Sequence, residues 1–229
     1  MSENKKRYGF TLVELLTAVV IIGIVATISI SSLFEGIYKN TFSTDLKNSV
    51  VNVQHIANVQ MATKGTKDLN LTDFSSPSKL FSDKNFMTVK KCSASEAKEN
   101  CWEGKDNYKN VNGSDIAIES DSESIILKNG QIISYKNSAI TVNEPDVLPS
   151  KAVKTVGKFC TDLNGVKEKP NRIGRDYFCY YIDEKGRIVG SGDFGTNSVE
   201  TNISNCKSSS GTPESCFDAV MQSGWKIDY

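Results

Sequence analysis

The feature that most constrains how this chain can fold is an apolar segment near its N-terminus, residues 10–34. The segment contains one charged residue, Glu14, and a basic cluster formed by Lys5, Lys6 and Arg7 lies shortly before it. A helix needs about 20 apolar residues, at a rise of about 1.5 Å per residue, to cross the hydrocarbon layer of a membrane. Residues 10–34 therefore predict a transmembrane helix, and the basic cluster predicts that its N-terminus stays in the cytoplasm.

The residues at the start of this segment read Gly-Phe-Thr-Leu-Val-Glu at positions 9–14, after a short basic leader. This sequence resembles the processing site of type IV pilins and of the related pseudopilins of secretion and DNA-uptake machines. The resemblance implies that a prepilin peptidase cuts between Gly9 and Phe10 and that Phe10 is then N-methylated. A secretory signal peptide is cut after its apolar core, but this cut would precede the apolar segment. The segment is therefore expected to stay in the mature chain.

Glu14 is an ionisable side chain inside the apolar segment, where a carboxylate costs roughly 2 to 3.5 kcal/mol at the centre of a membrane helix. A charge at this depth needs a partner. The resemblance implies that Glu14 pairs with the N-terminal amine, at Phe10, of a neighbouring subunit during assembly. The alternative is a carboxylate close enough to the membrane edge to reach headgroups or water.

Beyond Glu35 the apolar residues recur at steps of three or four, which is typical of a helix with one apolar face. They are Ile37, Tyr38, Thr41, Phe42, Leu46, Val50, Val53, Ile56, Ala57 and Met61. We therefore predict one long helix whose amphipathic half, residues 35–62, lies against a globular domain. The predicted organisation is a leader at 1–9, a transmembrane and polymerisation helix at 10–34, the amphipathic half, and an extracytoplasmic globular pilin domain at 63–229.

All six cysteines follow the apolar segment, and they are even in number. They are Cys92, Cys101, Cys160, Cys179, Cys206 and Cys216. An extracytoplasmic position favours disulfides, and no CxxC spacing indicates zinc or redox chemistry. Six cysteines allow fifteen pairings. We favour the sequential one, 92 with 101, 160 with 179 and 206 with 216, because each pair brackets a plausible local loop.

Strand patterns begin at residue 115. Residues 116–118 alternate with polar neighbours, and the apolar runs 124–128 and 131–135 flank Asn129-Gly130, a strong hairpin signal because both turn residues tolerate positive φ. Residues 139–142 predict a further strand, and Pro213 predicts a C-terminal helix at 214–222. The expected fold class is α+β: a long N-terminal helix packed on an antiparallel β-sheet, pilin-like and stapled by disulfides.

The segment 158–179 is the second informative stretch of the chain. Its pattern resembles the Asp-x-Asn-Gly, Pro-Asn and Gly-x-Asp-x-Phe loop of many bacterial pilin-like proteins, and some pseudopilins bind calcium near their C-terminus. Asp162, Asn164, Asn171 and Asp176 offer the oxygen ligands that calcium prefers. Such residues also build turns without metal, and we favour the structural turn over the metal site.

The charge balance and the side-chain inventory exclude several classes of function. The chain has 27 basic and 27 acidic residues, and removal of the leader leaves 24 against 26, so nucleic-acid binding is not indicated. His55 is the single histidine, and the sequence shows no phosphate-binding glycine loop or nucleophile–histidine set. We therefore expect no enzymatic activity and no cofactor.

The resemblance implies a structural subunit of a type IV pilus or of a type II secretion-type pseudopilus. Its partners would be other pilin subunits, a prepilin peptidase and methyltransferase, and an inner-membrane assembly platform. The precursor would sit in the bacterial inner membrane, and the assembled subunit in a cell-surface pilus or a periplasmic pseudopilus. The alternative is a minor, tip-located pilin or adhesin that binds a surface, a secreted protein or DNA.

Overall fold

The long N-terminal helix predicted from the sequence is present, and it contributes to two separate units of the structure. The computed structural model describes residues 11–102, 108–143, 152–165, 171–191 and 197–229, apart from the side chains of residues 28, 30–35 and 143. Helix α1 comprises Leu12–Lys64. The chain divides into a unit Met1–Lys39 and a unit Asn40–Tyr229, which we call the domain.

Within the domain, α1 buries one face. Its buried apolar residues are Phe42, Leu46, Val50, Val53, Ile56 and Ala57, which are among those that the periodicity predicted. Two hydrogen bonds fix the helix along its axis: Gln131 Nε2 donates to Ser49 Oγ at 2.9 Å, and the Asp73 N–H donates to Gln60 Oε1 at 2.9 Å. Burial of apolar surface drives the packing of α1 on the domain, and these directional hydrogen bonds select one position along the helix axis.

The segment after α1 consists of short elements. It contains two 3₁₀ helices at Leu69–Leu71 and Asp73–Ser75, helix α2 at Pro77–Leu80, strand β1 at Thr88–Cys92 and helix α3 at Ala94–Asn100. The sequence analysis did not predict β1. Three of the five residues of β1 are exposed, so the strand shows no apolar alternation that would reveal it.

The central sheet is antiparallel, as expected for the α+β fold. Its strands are β3 at Glu123–Leu127, β4 at Ile132–Asn137, β5 at Thr141–Asn143, β6 at Ala152–Asp162, β8 at Tyr177–Asp183 and β9 at Ile188–Val189. The order is β1-β3-β4-β6-β8-β9, and β5 pairs with β6. The Asn-Gly hairpin is confirmed, since β3 pairs with β4 and Gly130 has φ of 90°.

Two other strand assignments differ from the prediction. Residues 116–118 do not form a strand; the nearest pairing is a single bridge between Lys109 and Asp115. A separate two-stranded parallel sheet joins β2 at Tyr108–Lys109 to β7 at Asn171–Arg172. Ile116 and Ile118 still pack against the core, so their alternation reflects burial although residues 116–118 form no strand.

The C-terminal part adds two helices, α4 at Val199–Lys207 and α5 at Pro213–Gln222. The second was predicted and the first was not. Helix α5 begins with a capping box, in which Thr212 and Ser215 exchange side-chain-to-backbone hydrogen bonds. Its Phe217 ring stacks on Tyr180 of β8 at a centroid distance of 5.0 Å. This contact places α5 on the sheet.

The six cysteines form the three sequential disulfides that the sequence analysis favoured: Cys92–Cys101, Cys160–Cys179 and Cys206–Cys216. The second joins residues that are directly opposite each other in β6 and β8. Each of the three closes a loop of at most 19 residues in sequence separation. Such crosslinks stabilise by restricting the unfolded chain, each by about 2 to 4 kcal/mol.

Gly157 of β6 generates the first testable prediction. A Cβ at this position would overlap the ring of the buried Tyr135, which lies over the glycine. We expect Gly157→Ala to lower the free energy of unfolding by about 1 to 3 kcal/mol, because the ring cannot move without disturbing its neighbours in the core. Chemical denaturation monitored by circular dichroism measures this.

Gly36→Ala is the matched control, since it adds the same methyl group where no atom lies within 4 Å. An unfolding midpoint for Gly157→Ala equal to that of the control would contradict the packing argument.

Candidate functional site

The N-terminal end of α1 carries the predicted assembly residue Glu14, and the structure shows what holds it. The backbone N–H and the hydroxyl of Thr11 both donate to Glu14 Oε2 at 2.8 Å. The Glu14 N–H in turn donates to Thr11 Oγ1 at 3.2 Å. This reciprocal arrangement is a capping box, which satisfies two of the backbone donors left free at the start of a helix.

Thr11 is a helix-capping residue, bonded to Glu14, that the sequence analysis missed. The signal was available, because Thr-Leu-Val-Glu at 11–14 matches the capping-box pattern Ser/Thr-x-x-Glu that precedes an apolar run. The predicted processing residues, Gly9 and Phe10, lie outside the described residues. Their roles in cleavage and methylation stay predictions.

The helix that follows Glu14 presents apolar side chains on every face. Ten of the residues between 12 and 25 are more than half exposed: Leu12, Val13, Leu15, Leu16, Val19, Val20, Ile21, Ile22, Ile24 and Val25. A helix that is apolar all round is usually covered by lipid or by other protein. This part of α1 is therefore a candidate surface for assembly.

The predicted transmembrane helix, residues 10–34, includes parts that the structure does not describe: Phe10 and the side chains of residues 28 and 30–34. Among the described residues, no helix reaches the length and apolar character required to cross a membrane. The transmembrane assignment of residues 10–34 stays a prediction.

The predicted loop residues Asp162, Asn164, Asn171 and Asp176 lie at the ends of strands β6, β7 and β8. Asp162 ends β6 and is opposite Tyr177, the first residue of β8. The Leu163 N–H donates to the Asp176 carbonyl at 2.8 Å, which joins the two ends of the segment. The fold therefore brings Asp162 and Asp176 close together.

Hydrogen bonds within the protein engage both of these buried carboxylates. Asp162 accepts the Gly165 N–H at 2.8 Å through Oδ1 and the Tyr108 hydroxyl through Oδ2. Asp176 accepts the Arg172 N–H through Oδ1, and its Oδ2 lies 3.8 Å from the Nε of Arg175. These are the contacts of a structural turn, in which Asx side chains bond nearby backbone N–H groups.

The observed geometry does not support the metal-site hypothesis. Over the described ranges, no group of three or more His, Cys, Asp or Glu side chains could hold a metal ion. Asn171 is 1% exposed, and among the described residues neither of its side-chain polar atoms has a hydrogen-bond partner. Calcium binding by Asp162, Asn164, Asn171 and Asp176 stays the untested alternative to the structural turn that we favour.

Burial shifts the titration of this carboxyl pair. Burial is the main cause that raises the pKa of Asp176 to about 7, and the negative charge of Asp162 adds to it. Burial also raises the pKa of Asp162 to about 6, although hydrogen bonds from Tyr108 and Gly165 oppose the rise. At neutral pH, therefore, the pair carries less than its full negative charge.

A second buried polar cluster surrounds Lys158 of β6. Its ammonium group contacts the carboxylates of Glu119, at 2.9 Å, and of Glu214 in α5. Burial alone would lower the pKa of Lys158, but the two carboxylates raise it to about 12. A cavity of about 300 Å³ borders the cluster and is also lined by residues 209–213. A buried lysine held by two carboxylates joins strand and helix, and we assign it a structural role.

Comparison with known proteins identifies the N-terminal segment. Residues 4–30 match the family model of the prokaryotic N-terminal methylation motif, which is the prepilin motif of type IV pilins and pseudopilins. The motif supports a pilin-like or pseudopilin precursor, and it implies processing by a prepilin peptidase and assembly with other pilins. Proteins with this motif are structural subunits. No curated protein and no solved structure matches the chain.

The carboxyl pair predicts a pH dependence of stability. Because the pKa of Asp176 is raised in the folded chain, the folded chain binds more protons than the unfolded chain between about pH 4 and pH 7. The free energy of unfolding should therefore fall as pH rises through this range. Asp176→Asn should reduce that slope and stabilise the domain at pH 8 by about 1 to 3 kcal/mol, because the amide carries no charge into the buried site.

Denaturant titrations at pH 4, 6 and 8 on both proteins measure the slope. Asp228→Asn is the control, since Asp228 is an exposed aspartate on the same domain. An Asp176→Asn variant with the wild-type slope would refute the assignment.

Proposed function

We propose that the chain is a structural subunit of a type IV pilus or of a type II secretion-type pseudopilus, built through its N-terminal helix. The observation that carries the proposal is the prepilin motif at residues 4–30. In this proposal residues 1–9 are removed on the cytoplasmic face, Phe10 becomes the methylated N-terminus, and residues 63–229 lie outside the cytoplasm. Residues 10–34 hold the precursor in the inner membrane until assembly.

The capping box supports a specific role for Glu14 in assembly. Its carboxylate accepts two hydrogen bonds, both from the neutral donors of Thr11. Cleavage before Phe10 would create a cationic amine, whose charge–charge attraction to the carboxylate is absent from the neutral donors of Thr11 and is strong in a low-dielectric surrounding. We therefore expect a neighbouring subunit's N-terminal amine to displace Thr11 as the main partner of Glu14.

The exposed apolar residues of α1 support the second step, which is the packing of helices. When apolar helices move from lipid into a helical bundle, close van der Waals contact between the helices drives their association. Identical subunits that join through two different surfaces form a helical filament when the rotation between neighbours does not close a ring. The anchored helix would therefore leave the membrane for the filament core while the domain remains outside.

Glu14→Ala tests the assembly role. We expect the variant to lose residues 1–9 as the wild type does and yet to be missing from filaments, because the amine of the neighbour has no carboxylate to meet. Mass spectrometry of the membrane-bound protein reports cleavage, and quantitative immunoblotting of sheared filaments reports incorporation. A drop in incorporation of at least tenfold corresponds to about 1.4 kcal/mol.

Thr17→Ala is the matched control one turn further along the helix. The Thr17 hydroxyl bonds only carbonyls of its own helix, Val13 at 2.9 Å and Glu14 at 3.0 Å, so its loss should leave incorporation unchanged. Normal filaments from Glu14→Ala would refute the assembly role. The abundance of the wild-type chain in the same filaments separates a major subunit from a scarce tip subunit.

A further inference from the structure

The last residues of the chain, 224–229, turn back from α5 and cross the domain; we call them the C-terminal strap. Gly224 and Trp225 both have positive φ, 71° and 64°. The Trp225 N–H donates to the Val220 carbonyl at 2.9 Å, which closes the end of α5 and reverses the chain direction. Trp225 also packs edge-on against Phe217, with ring centroids 6.1 Å apart.

The strap has three points of attachment on different elements. The Ser43 hydroxyl of α1 donates to the Trp225 carbonyl. Ile227 is 3% exposed and belongs to the core. The Tyr229 hydroxyl donates to the Gly174 carbonyl at 2.8 Å, between β7 and β8, where a Cβ on residue 174 would lie 3.0 Å from that hydroxyl. The strap thus links α5, α1 and the turn before β8.

The attachment on α1 lies where the domain first buries this helix. Asn40 and Thr41 are exposed, whereas Phe42 and Ser43 are buried. The strap holds Ser43, and the guanidinium group of Arg175 lies over the Phe42 ring at 5.7 Å. The next buried residue along the helix is Leu46, and deeper in the domain Ser49 bonds Gln131.

The strap has features of a segment that opens more readily than the core. Trp225 is the one non-glycine residue with positive φ among those described, and this conformation is strained for an L-residue. No strand pairing includes residues 224–229, and Gly224, Lys226 and Asp228 are exposed. The packing of Trp225, Ile227 and Tyr229 and two hydrogen bonds therefore hold the strap, and a segment outside the sheet opens at a fraction of the global free energy.

We propose that the C-terminal strap is a latch that sets the residue at which the domain begins to hold α1. With the latch closed, the first buried turn of α1 is bonded to the strap through Ser43. With it open, this turn loses that bond but keeps the contacts of Phe42 with the core and Arg175, so it opens more often and the firm hold begins at Leu46. The four residues between these positions are about one helical turn, or about 6 Å of helix. If the proposed function holds, opening the latch adds one turn to the part of α1 that the domain does not hold firmly.

Hydrogen exchange measured by mass spectrometry on the full unassembled chain in detergent tests the latch. Two variants weaken it: a chain ending at Gly224, and the milder double variant Ser43→Ala with Tyr229→Phe, which removes two hydrogen bonds. We expect exchange of the amides at 42–47 to rise about tenfold in the double variant and further in the shortened chain. Exchange at 50–60 should stay at the wild-type level.

Lys226→Ala is the control, because this exposed residue of the strap makes none of the three attachments. Unchanged protection at 42–47 in the double variant would overturn the proposal. So would an equal increase across 42–60 and the sheet, since the strap would then only add to global stability. The measurement needs no filament, so failure of the latch and failure of the assembly role of Glu14 are separate outcomes.

Discussion

The packing of the buried face of α1 on the sheet is the contact on which the rest of the domain depends. Helix residues from Phe42 to Ala57 supply one side of the core, and aromatic residues of β4, β6 and β8 supply much of the other. The rings of Tyr135, Phe159 and Tyr180 lie in a row across neighbouring strands, with centroids 4.6 and 5.6 Å apart. Without α1, the part of this face that Phe217 of α5 and Phe74 do not cover would be exposed to water.

The same helix serves two environments, and the sequence changes its pattern accordingly. Before residue 35 the apolar residues cover the whole circumference, whereas after it they form one stripe. Ser49, a polar residue on the buried face, meets a partner in the domain, Gln131. The apolar pattern of each half therefore predicts what covers it: lipid or other protein before residue 35, and the domain after it.

Local features of the fold were readable from the sequence, and features that depend on distant pairing were not. The helix stripe, the Asn129-Gly130 turn and α5 follow from periodicity and turn chemistry, and all three are present. Strand β2 escaped prediction because its partner, β7, lies more than sixty residues away along the chain. For the same reason the sequence identified Asp162 as a turn residue but not its bond to Tyr108. Glu14 was found from its motif, whereas Thr11 was overlooked although its signal is local.

The sequential disulfides have a consequence for the order in which the domain matures. Each cysteine pair is complete before the next cysteine appears along the chain, with separations of 9, 19 and 10 residues. A chain oxidised from its N-terminal end, as it emerges, meets the native partner first at every step. An incorrect pair would form only if a cysteine stayed reduced until a later, non-native partner became available. This arrangement therefore favours correct pairing during oxidation and avoids slow disulfide isomerisation.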